Sequence, residues 1–433
     1  MDVVKGVVAR RDQRVREAHR VGAMVEEHSA RLDLGELLAA VEDAAPVAAV
    51  DVLGDRLRKA VGATEVSFLI ADFSGQALIR LAHAGSELAA RTQGRETAER
   101  VPLVGTPHGR ALAAQTVEVE SGGGDSGTRL YAPVTNRGEA IGLIELRLAE
   151  SPDEQTLTDV ALAAHALAYV VIANRRFTDL FAWGQRSVRL SLAAEIQHRL
   201  LPGSYTCEAG QFTLAAWLEP AGDVGGDTFD FSMDRDTLHL SMTDAMGHDV
   251  GAAVLATVLV GALRNARRAG VGLAEQARLA NAGLHDFARR GGFVTGQLAR
   301  IDLTEGTATI INAGHPSPMR LRGGRVEPVA LKADPPFGIV AGQEFEVQQL
   351  PLEPGDRLMF LTDGMLERNV SSVDLAALLT AGAGMHPREA VQHLVQTILE
   401  AAGGELKDDA AAMCLDWHGG PPRARTTNSG ADS

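Results

Sequence analysis

Between residues 47 and 176 the hydrophobic positions follow two patterns in turn, one typical of strands and the other typical of helices. Short apolar or alternating runs predict strands, as in Glu65–Asp72 (EVSFLIAD). Two such runs flank Asn136-Arg137-Gly138-Glu139, a sequence typical of a β-hairpin turn. A long Ala-rich run at Thr156–Asn174 predicts a helix. This order of elements predicts a small α/β sensor module at residues 47–176, after a charged helical segment at residues 1–46.

Large apolar residues recur at helical spacing in the segment that follows. Their separations are multiples of four or seven, which places them on one helical face; they are Phe177, Phe181, Val188, Leu192, Ile196 and Leu200. Pro202-Gly203 then ends the pattern. The pattern predicts a helical linker over residues 177–203 that pairs with a second copy in a homodimer. A helix that lies on its own domain is the alternative.

The pattern changes to strands over residues 204–418, and acidic residues stand where strands end. Asp227 precedes a predicted strand at Phe229–Met233, and Asp244 follows the returning strand at Leu238–Thr243. In an antiparallel hairpin these two positions lie at the same end of the sheet. The two carboxylates are therefore expected to meet although 17 residues separate them along the chain.

The same arrangement recurs downstream. Asp363 follows the strand Arg357–Thr362, while Asp408 and Asp409 precede the strand Ala410–Leu415. Carboxylates gathered at one sheet edge would repel one another strongly without a cation. Such hard oxygen ligands suit Mg²⁺ or Mn²⁺ better than zinc. The sequence therefore predicts a divalent metal site at this edge.

A long helix is expected to begin near Asp249, directly after Gly247-His248, and to continue to Arg268. Unpaired backbone N–H groups at a helix N-terminus favour a bound anion. This end of the helix is therefore expected to favour an anion beside the carboxylates.

Length, charge and composition exclude several classes of function. A chain of 433 residues suits two or three domains, and its net charge of −15 argues against a nucleic-acid binder.

Cys207 and Cys414 have no partner at metal-ligand spacing and are expected to be buried thiols. Met1–Arg20 lacks the apolar run of a signal peptide, and the apolar stretch Gly251–Leu263 is too short to span a bilayer. A soluble cytoplasmic protein that does not bind a membrane is expected, with a disordered tail at residues 419–433.

Several short motifs resemble, in order and spacing, the SpoIIE-like branch of bacterial PPM-type protein phosphatases. They are Glu195-Ile196-Gln197 with Leu200-Leu201-Pro202, Pro220-Ala221 with Val224-Gly225-Gly226-Asp227, Asp244-Ala245-Met246-Gly247-His248, Asn312-Ala313-Gly314-His315-Pro316, Gly355-Asp356 with Thr362-Asp363-Gly364, and Asp408-Asp409. The resemblance covers residues 190–417. It implies an α+β protein whose C-terminal part is an α-β-β-α sandwich. The N-terminal module resembles a GAF domain by its pattern of elements alone, and a packing module without a ligand is the alternative.

The resemblance also implies a site. In that family two divalent cations, Mn²⁺ or Mg²⁺, share a bridging aspartate and activate a water molecule. The matching positions here are Asp244 as the bridge, Ala245 through its carbonyl, Asp227 for one metal, Asp363 and Asp408 for the other, and Asp409 as a further candidate. Ala245-Met246 departs from the small polar residue that the family more often has after the bridge, but any residue can supply a carbonyl.

The implied reaction is hydrolysis of phosphoserine or phosphothreonine, on a STAS-domain anti-anti-sigma protein and under control of the sensor module. Two alternatives remain: a non-catalytic signalling scaffold that binds a partner, and a hydrolase of a small phosphate ester. Ser204, Ser241 and His315 could suggest a triad, but no Gly-x-Ser-x-Gly elbow occurs. His315 is interpreted as a structural or substrate-side residue, and the role of His248 stays open.

Overall fold

A computed structural model gives the architecture of most of the chain. It describes residues 32–73, 75–84, 99–122, 127–186, 190–219, 225–247, 249–288, 291–366, 373–403, 406, 408–419 and 430–431. Most of the predicted N-terminal helical segment and of the predicted tail therefore lies outside the described residues, as do His248, Pro220 and Val224.

The N-terminal unit is a six-stranded antiparallel sheet in the order β3-β2-β1-β6-β5-β4, with helices on both faces. The strands are β1 (Glu65–Ala71), β2 (Ala77–Ala84), β3 (Arg100–Pro102), β4 (Glu118–Ser121), β5 (Thr128–Asn136) and β6 (Glu139–Leu148). The helices are α1 (Leu34–Glu42), α2 (Ala49–Val61), α3 (Pro107–Ala114) and α4 (Glu154–Asn174).

Alternation along the strands divides this unit into two cores. Phe68 and Ile70 of β1 face the larger core beneath α1, α2 and α4, whereas Leu69 between them faces the smaller core beneath α3. Asp153 caps α4 by accepting a hydrogen bond from the Thr156 backbone N–H at 2.8 Å. The elements follow the predicted mixture of strands and helices, and the likeness to a GAF domain stays a prediction.

The predicted continuous linker helix is wrong. The chain instead forms α5 (Leu180–Gly184) and, after a break, α6 (Leu192–Leu200). Ser191 starts α6 as a new helix, because its side chain accepts a hydrogen bond from the Ala194 N–H at 3.1 Å. The predicted apolar face is divided as a result: Phe181 is buried in the N-terminal core, whereas Phe177 is 69% exposed.

In the described residues, the C-terminal unit contains two antiparallel sheets, four α-helices and a short 3₁₀ turn. One sheet has the strand order β15-β12-β11-β10-β9, and the other has the order β14-β13-β16-β17-β8-β7. The strands are β7 (Thr206–Glu208), β8 (Phe212–Glu219), β9 (Asp227–Met233), β10 (Thr237–Ala245), β11 (Val294–Asp302), β12 (Thr307–Ala313), β13 (Met319–Arg322), β14 (Arg325–Pro328), β15 (Gln348–Pro351), β16 (Arg357–Leu361) and β17 (Ala410–Trp417). The helices are α7 (Val250–Arg268), α8 (Leu273–Phe287), α9 (Leu375–Ala381) and α10 (Pro387–Ala401).

Three apolar layers show that this unit is an α-β-β-α sandwich. Leu240 and Phe360 belong to the layer between the two sheets. A second layer joins the outer face of the first sheet to α7 and α8, and a third joins the second sheet to α9 and α10. The predicted fold of the C-terminal part is therefore confirmed. Cys207 and Cys414 are free and buried within it, as predicted.

Two of these helices are apolar along much of their length. By length and composition α4 and α7 could each cross a membrane, but 56% and 44% of their apolar windows are buried inside the protein. Both helices pack on a sheet, as apolar helices in a protein core do.

Candidate metal centre

The first hairpin brings two aspartates together. Strands β9 and β10 pair antiparallel in a register that sets Asp227 directly opposite Asp244. A tight turn fixes this register, because the Asp234 N–H donates to the Thr237 carbonyl at 2.8 Å. The two carboxylates thus lie at the same end of one strand pair, as the sequence predicts, although both are inside the strands and not beyond them.

The second hairpin places the remaining acids in the opposite sheet. Strands β16 and β17 are antiparallel neighbours. Asp363 opens a 3₁₀ turn directly after β16, and Asp408 and Asp409 precede β17. The backbones touch here, since a Cβ at Gly364 would overlap the Asp409 carbonyl. Glycine at this position therefore permits the close approach.

A threonine joins the two hairpins. The Thr362 hydroxyl donates to Asp227 Oδ2 at 2.6 Å, and the Ala411 N–H donates to the same hydroxyl at 2.8 Å. This contact spans the two sheets, because Asp227 belongs to β9 of one sheet, while Ala411 belongs to β17 of the other and Thr362 directly follows β16. The predicted site residues are therefore brought to one place, where the ends of both sheets meet.

The carboxylates influence one another electrostatically. Burial raises the pKa of Asp227 well above its ordinary value, and Asp244 and Asp409 add to this effect. Burial, together with Asp363, Asp408 and Asp409, raises the pKa of Asp244 to about 7. A buried group of like charges of this kind favours either bound protons or a bound cation.

The two acids before β17 have different surroundings. Asp409 is buried, and its Oδ2 accepts hydrogen bonds from Gln197 Nε2 at 2.6 Å and from the Gly226 N–H at 3.1 Å. Asp408 is exposed, and its Oδ1 accepts a hydrogen bond from the Asp409 N–H at 2.9 Å. Asp409 is thus tied to both neighbouring segments by a buried carboxylate, whereas Asp408 is open to solvent, and the assignment of Asp408 as a ligand stays a prediction.

Sequence reasoning assigned no role to Gln197, and the structure places it at the centre of the site. This residue of α6 is fully buried, and its Nε2 donates to the Asp227 carbonyl at 2.7 Å as well as to Asp409. The Gln197 side chain thus joins the two acid-bearing segments, which are the start of β9 at Asp227 and the residues before β17 at Asp409. The signal in the sequence was a polar residue inside a matching motif, but its partner Asp409 lies 212 residues away.

The loop after β12 supports the strand beside the aspartates. The His315 N–H donates to Asn312 Oδ1 at 2.8 Å, and His315 Nδ1 lies 2.9 Å from the hydroxyl of Thr295. Thr295 pairs with Asp244 across β10 and β11. His315 is 4% exposed, and burial lowers its pKa to about 4. These contacts support the interpretation of His315 as a structural residue.

The start of α7, where an anion was expected, is capped by its own aspartate. Asp249 Oδ1 accepts hydrogen bonds from the N–H groups of Gly251 at 2.7 Å and Ala252 at 3.3 Å. A carboxylate therefore occupies two of the N–H groups that an anion would use, and an anion at this end of the helix stays a prediction. Apolar periodicity marked the start of the helix but could not show that its own capping residue takes these donors.

The donor chemistry fits a divalent cation. Within the described ranges no three acidic, histidine or cysteine side chains converge at coordination distance, so the carboxylates are neighbours and not a closed cage. All of them are oxygen donors, as hard cations prefer. Gly226 lies beside the Ala245 carbonyl, where an added Cβ would be 2.8 Å from that oxygen. Positive charge would also relieve the repulsion that raises the pKa values of Asp227 and Asp244.

The C-terminal unit is thus an α-β-β-α sandwich with aspartates where the ends of both sheets meet. Residues 234–418 match the family model of SpoIIE, the stage II sporulation protein E. The match covers less than half of the chain, and it confirms the predicted resemblance for this part of it. Asp227 lies seven residues before the matched range begins.

Known proteins similar to this chain include the phosphoserine phosphatase RsbU of Bacillus subtilis (strain 168). It is 22% identical over 235 residues, which are 52% of this chain and 69% of RsbU. The chain is homologous to this enzyme, and the homology matches the predicted class of enzyme.

Two solved structures are also similar. The phosphatase domain of SpoIIE from Bacillus subtilis, with a fragment of its regulatory domain, is 20% identical with a TM-score of 0.42 and aligns with 49% of this chain. The RsbU and RsbW domains of Rv1364c from Mycobacterium tuberculosis are 26% identical with a TM-score of 0.44 and align with 50% of it. The alignments span 64% and 63% of those two chains. Other structures of this fold were solved with magnesium or with two manganese ions.

Proposed function

We propose that the chain is a metal-dependent phosphatase that hydrolyses phosphoserine or phosphothreonine in a protein substrate. The observation that supports this most strongly is the convergence of Asp227 and Asp244 from one sheet with Asp363 and Asp408 from the other. The SpoIIE family match and the homology to a phosphoserine phosphatase point to the same reaction.

In this proposal each aspartate keeps the role that the sequence implied. Asp244, with the Ala245 carbonyl, ligates between two cations, Mn²⁺ or Mg²⁺, while Asp227 serves one cation and Asp363 and Asp408 the other. Bound cations of this kind lower the pKa of a water molecule and balance the charge that develops on a phosphoryl group.

The protein's own contribution is orientation. Thr362 holds Asp227 Oδ2, and Gln197 holds both the Asp227 carbonyl and Asp409, so the ligands on the two sheets keep their spacing. In this proposal Asp409 positions Gln197 and the Gly226 backbone, and Asp408 is the ligand of the two.

The substrate that the family suggests is a phosphorylated STAS-domain anti-anti-sigma protein, and the proposed location is the cytoplasm. The N-terminal unit would supply control as a GAF-like sensor, in a homodimer formed through this unit and the linker. Because Phe181 of the linker is buried within the N-terminal core, α6 is the part of the linker best placed to report to the site.

Contacts between α6 and α7 support a path from the linker to the strand that carries Asp227. Arg264 of α7 donates from Nη2 to the Leu200 carbonyl at the end of α6, at 2.6 Å. The same guanidinium donates to both carboxylate oxygens of Asp230 in β9, at 2.8 Å and 3.1 Å. A shift of α6 would therefore move α7 and β9, the strand that carries Asp227, and so alter the spacing of the metal ligands.

Phosphate release from a phosphorylated STAS-domain protein tests this proposal. The full chain should release phosphate with Mn²⁺ or Mg²⁺, and EDTA should stop the release. Stable binding of the phosphoprotein without release would favour the scaffold alternative. Turnover of an aryl phosphate without action on any phosphoprotein would favour a small-molecule phosphatase.

A further inference from the structure

Two hairpin turns of the N-terminal unit contact the C-terminal unit. One joins β1 to β2, and the other joins β5 to β6. Because β1 and β6 pair antiparallel, with Ile70 opposite Gly142, the end of β1 and the start of β6 lie at the same end of the sheet. The two turns therefore form a single surface, which we call the docking end.

The β5–β6 turn is fitted closely to β7 and α10. The Tyr205 N–H donates to Glu139 Oε2 at 3.0 Å, and Arg388 Nη1 donates to the Gly138 carbonyl at 2.6 Å. Gly138 has φ +81°, and a Cβ there would lie 2.6 Å from Glu208 Oε1. The backbone conformation therefore favours glycine at this contact, and a larger side chain would have to displace Glu208.

Charged groups are buried where these elements meet. Glu208 is 1% exposed and lies 3.0 Å from His386 Nε2, while burial raises the pKa of Glu139 and lowers that of Arg388. Desolvation of buried charges offsets much of their mutual attraction. Beside these contacts a cleft of about 1110 Å³ separates the two units. Polar interfaces between units of one chain resemble transient protein–protein interfaces, which permit relative motion of the units.

The β1–β2 turn contacts the helix that supports the metal centre. The ring of Phe73 stacks on His198 of α6, with 4.5 Å between ring centroids. The Phe73 N–H donates to the Gln185 carbonyl at 2.9 Å, and Gln76 Nε2 donates to Gln396 Oε1 of α10 at 3.3 Å. His198 directly follows Gln197 in the chain, so the docking end touches the same helical turn that holds Asp227 and Asp409.

We propose that the docking end binds the β7–α10 face of the same chain reversibly, and that the Phe73–His198 stack keeps Gln197 in place when the units are docked. Undocking releases α6 and weakens the grip on the two acid-bearing segments. The affinity for divalent cations then falls. This inference rests on the proposed function and adds a direct contact between the units to the linker path.

Two variants of the full chain test the proposal. Phe73→Ala removes the stack, and Gly138→Val displaces the other turn by its contact with Glu208. Val119→Ala is the control, because this apolar residue is 41% exposed on β4, which pairs with the end of β5 opposite to the docking end. Hydrogen–deuterium exchange of α6 reports docking, and Mn²⁺ titration calorimetry reports the metal centre. Thermal unfolding verifies that each variant is folded.

Both docking variants should increase amide exchange in α6 and weaken Mn²⁺ binding by about five-fold or more, the usual range for coupled sites. The control should change neither quantity. Unchanged exchange in both variants would overturn the docking, and faster exchange with unchanged Mn²⁺ affinity would overturn the coupling. A wild-type chain that binds no Mn²⁺ would contradict the proposed function instead, and the exchange result would still decide whether the units dock.

Discussion

Replacing Gln197 by alanine removes the side chain that joins the acid-bearing segments of the two sheets. The variant loses the hydrogen bond to the Asp227 carbonyl at 2.7 Å and the one to Asp409 Oδ2 at 2.6 Å. Both acceptors are buried, so water cannot replace the lost donor without rearrangement. We expect a loss of stability and a weaker affinity for Mn²⁺.

The size of both effects follows from the two bonds. A bond to a neutral carbonyl contributes about 1 kcal/mol and one to a buried carboxylate about 1.5–3 kcal/mol, so the domain should lose about 3 kcal/mol. This lowers its unfolding temperature by about 6–12 °C for a domain of this size. The loss in Mn²⁺ affinity cannot exceed the same energy. Half of it corresponds to about ten-fold weaker binding.

Gln276→Ala is the matched control. Gln276 is also a buried glutamine, and its Nε2 donates to the Val271 carbonyl at 2.9 Å, at the start of α8 and away from the carboxylates. Thermal unfolding with EDTA and calorimetric titration with Mn²⁺ should show a stability loss in both variants but weaker Mn²⁺ binding only in Gln197→Ala. Equal Mn²⁺ affinity in the two variants would refute a positioning role for Gln197.

Three further predictions concern the carboxylates. Asp244→Asn should abolish Mn²⁺-dependent phosphate release while circular dichroism shows a retained fold; residual release near the wild-type rate would contradict its bridging role. Asp409→Asn should lower the unfolding temperature more than the Mn²⁺ affinity, and Asp408→Asn should do the reverse; the opposite order would exchange their roles. In EDTA, the free energy of unfolding of the wild type, measured with denaturant, should fall by up to about 4 kcal/mol relative to that of Asp244→Asn as the pH rises from about 4 to 7. The folded-state pKa of Asp244 is raised from 3.8 to about 7, so its ionisation destabilises the folded protein in this window. A pH-independent difference would be inconsistent with this shift, and saturating Mn²⁺ should abolish the effect.

Convergence of the aspartates could be predicted because strand pairing is a local property. The turn at Asp234 joins two short alternating strands, so the ends that carry Asp227 and Asp244 had to meet. The pair around Asp363 and Asp408 follows the same logic across a longer helical insertion. What the two local patterns could not give is the contact between the sheets, which depends on the Thr362–Asp227 hydrogen bond.

Other features depend on side chains that hydrogen-bond backbone N–H groups, which a pattern of apolar residues does not show. The linker follows a helical apolar spacing, yet Gly184 ends α5 and the side chain of Ser191 caps a new helix. At the start of α7, Asp249 takes the N–H groups that were expected to favour an anion. The position of Gln197 is also non-local, because Asp409, its partner, lies at the far end of the domain sequence.

The central claim is that aspartates from two sheets share bound cations, and counting those cations tests it most directly. Equilibrium titration of the full chain with Mn²⁺, followed by electron paramagnetic resonance of the free ion, gives the number bound. We predict two ions per chain in the wild type and a loss of at least one in Asp244→Asn. A wild-type chain that binds none at millimolar Mn²⁺, or an Asp244→Asn variant that still binds two with wild-type affinity, would contradict the account.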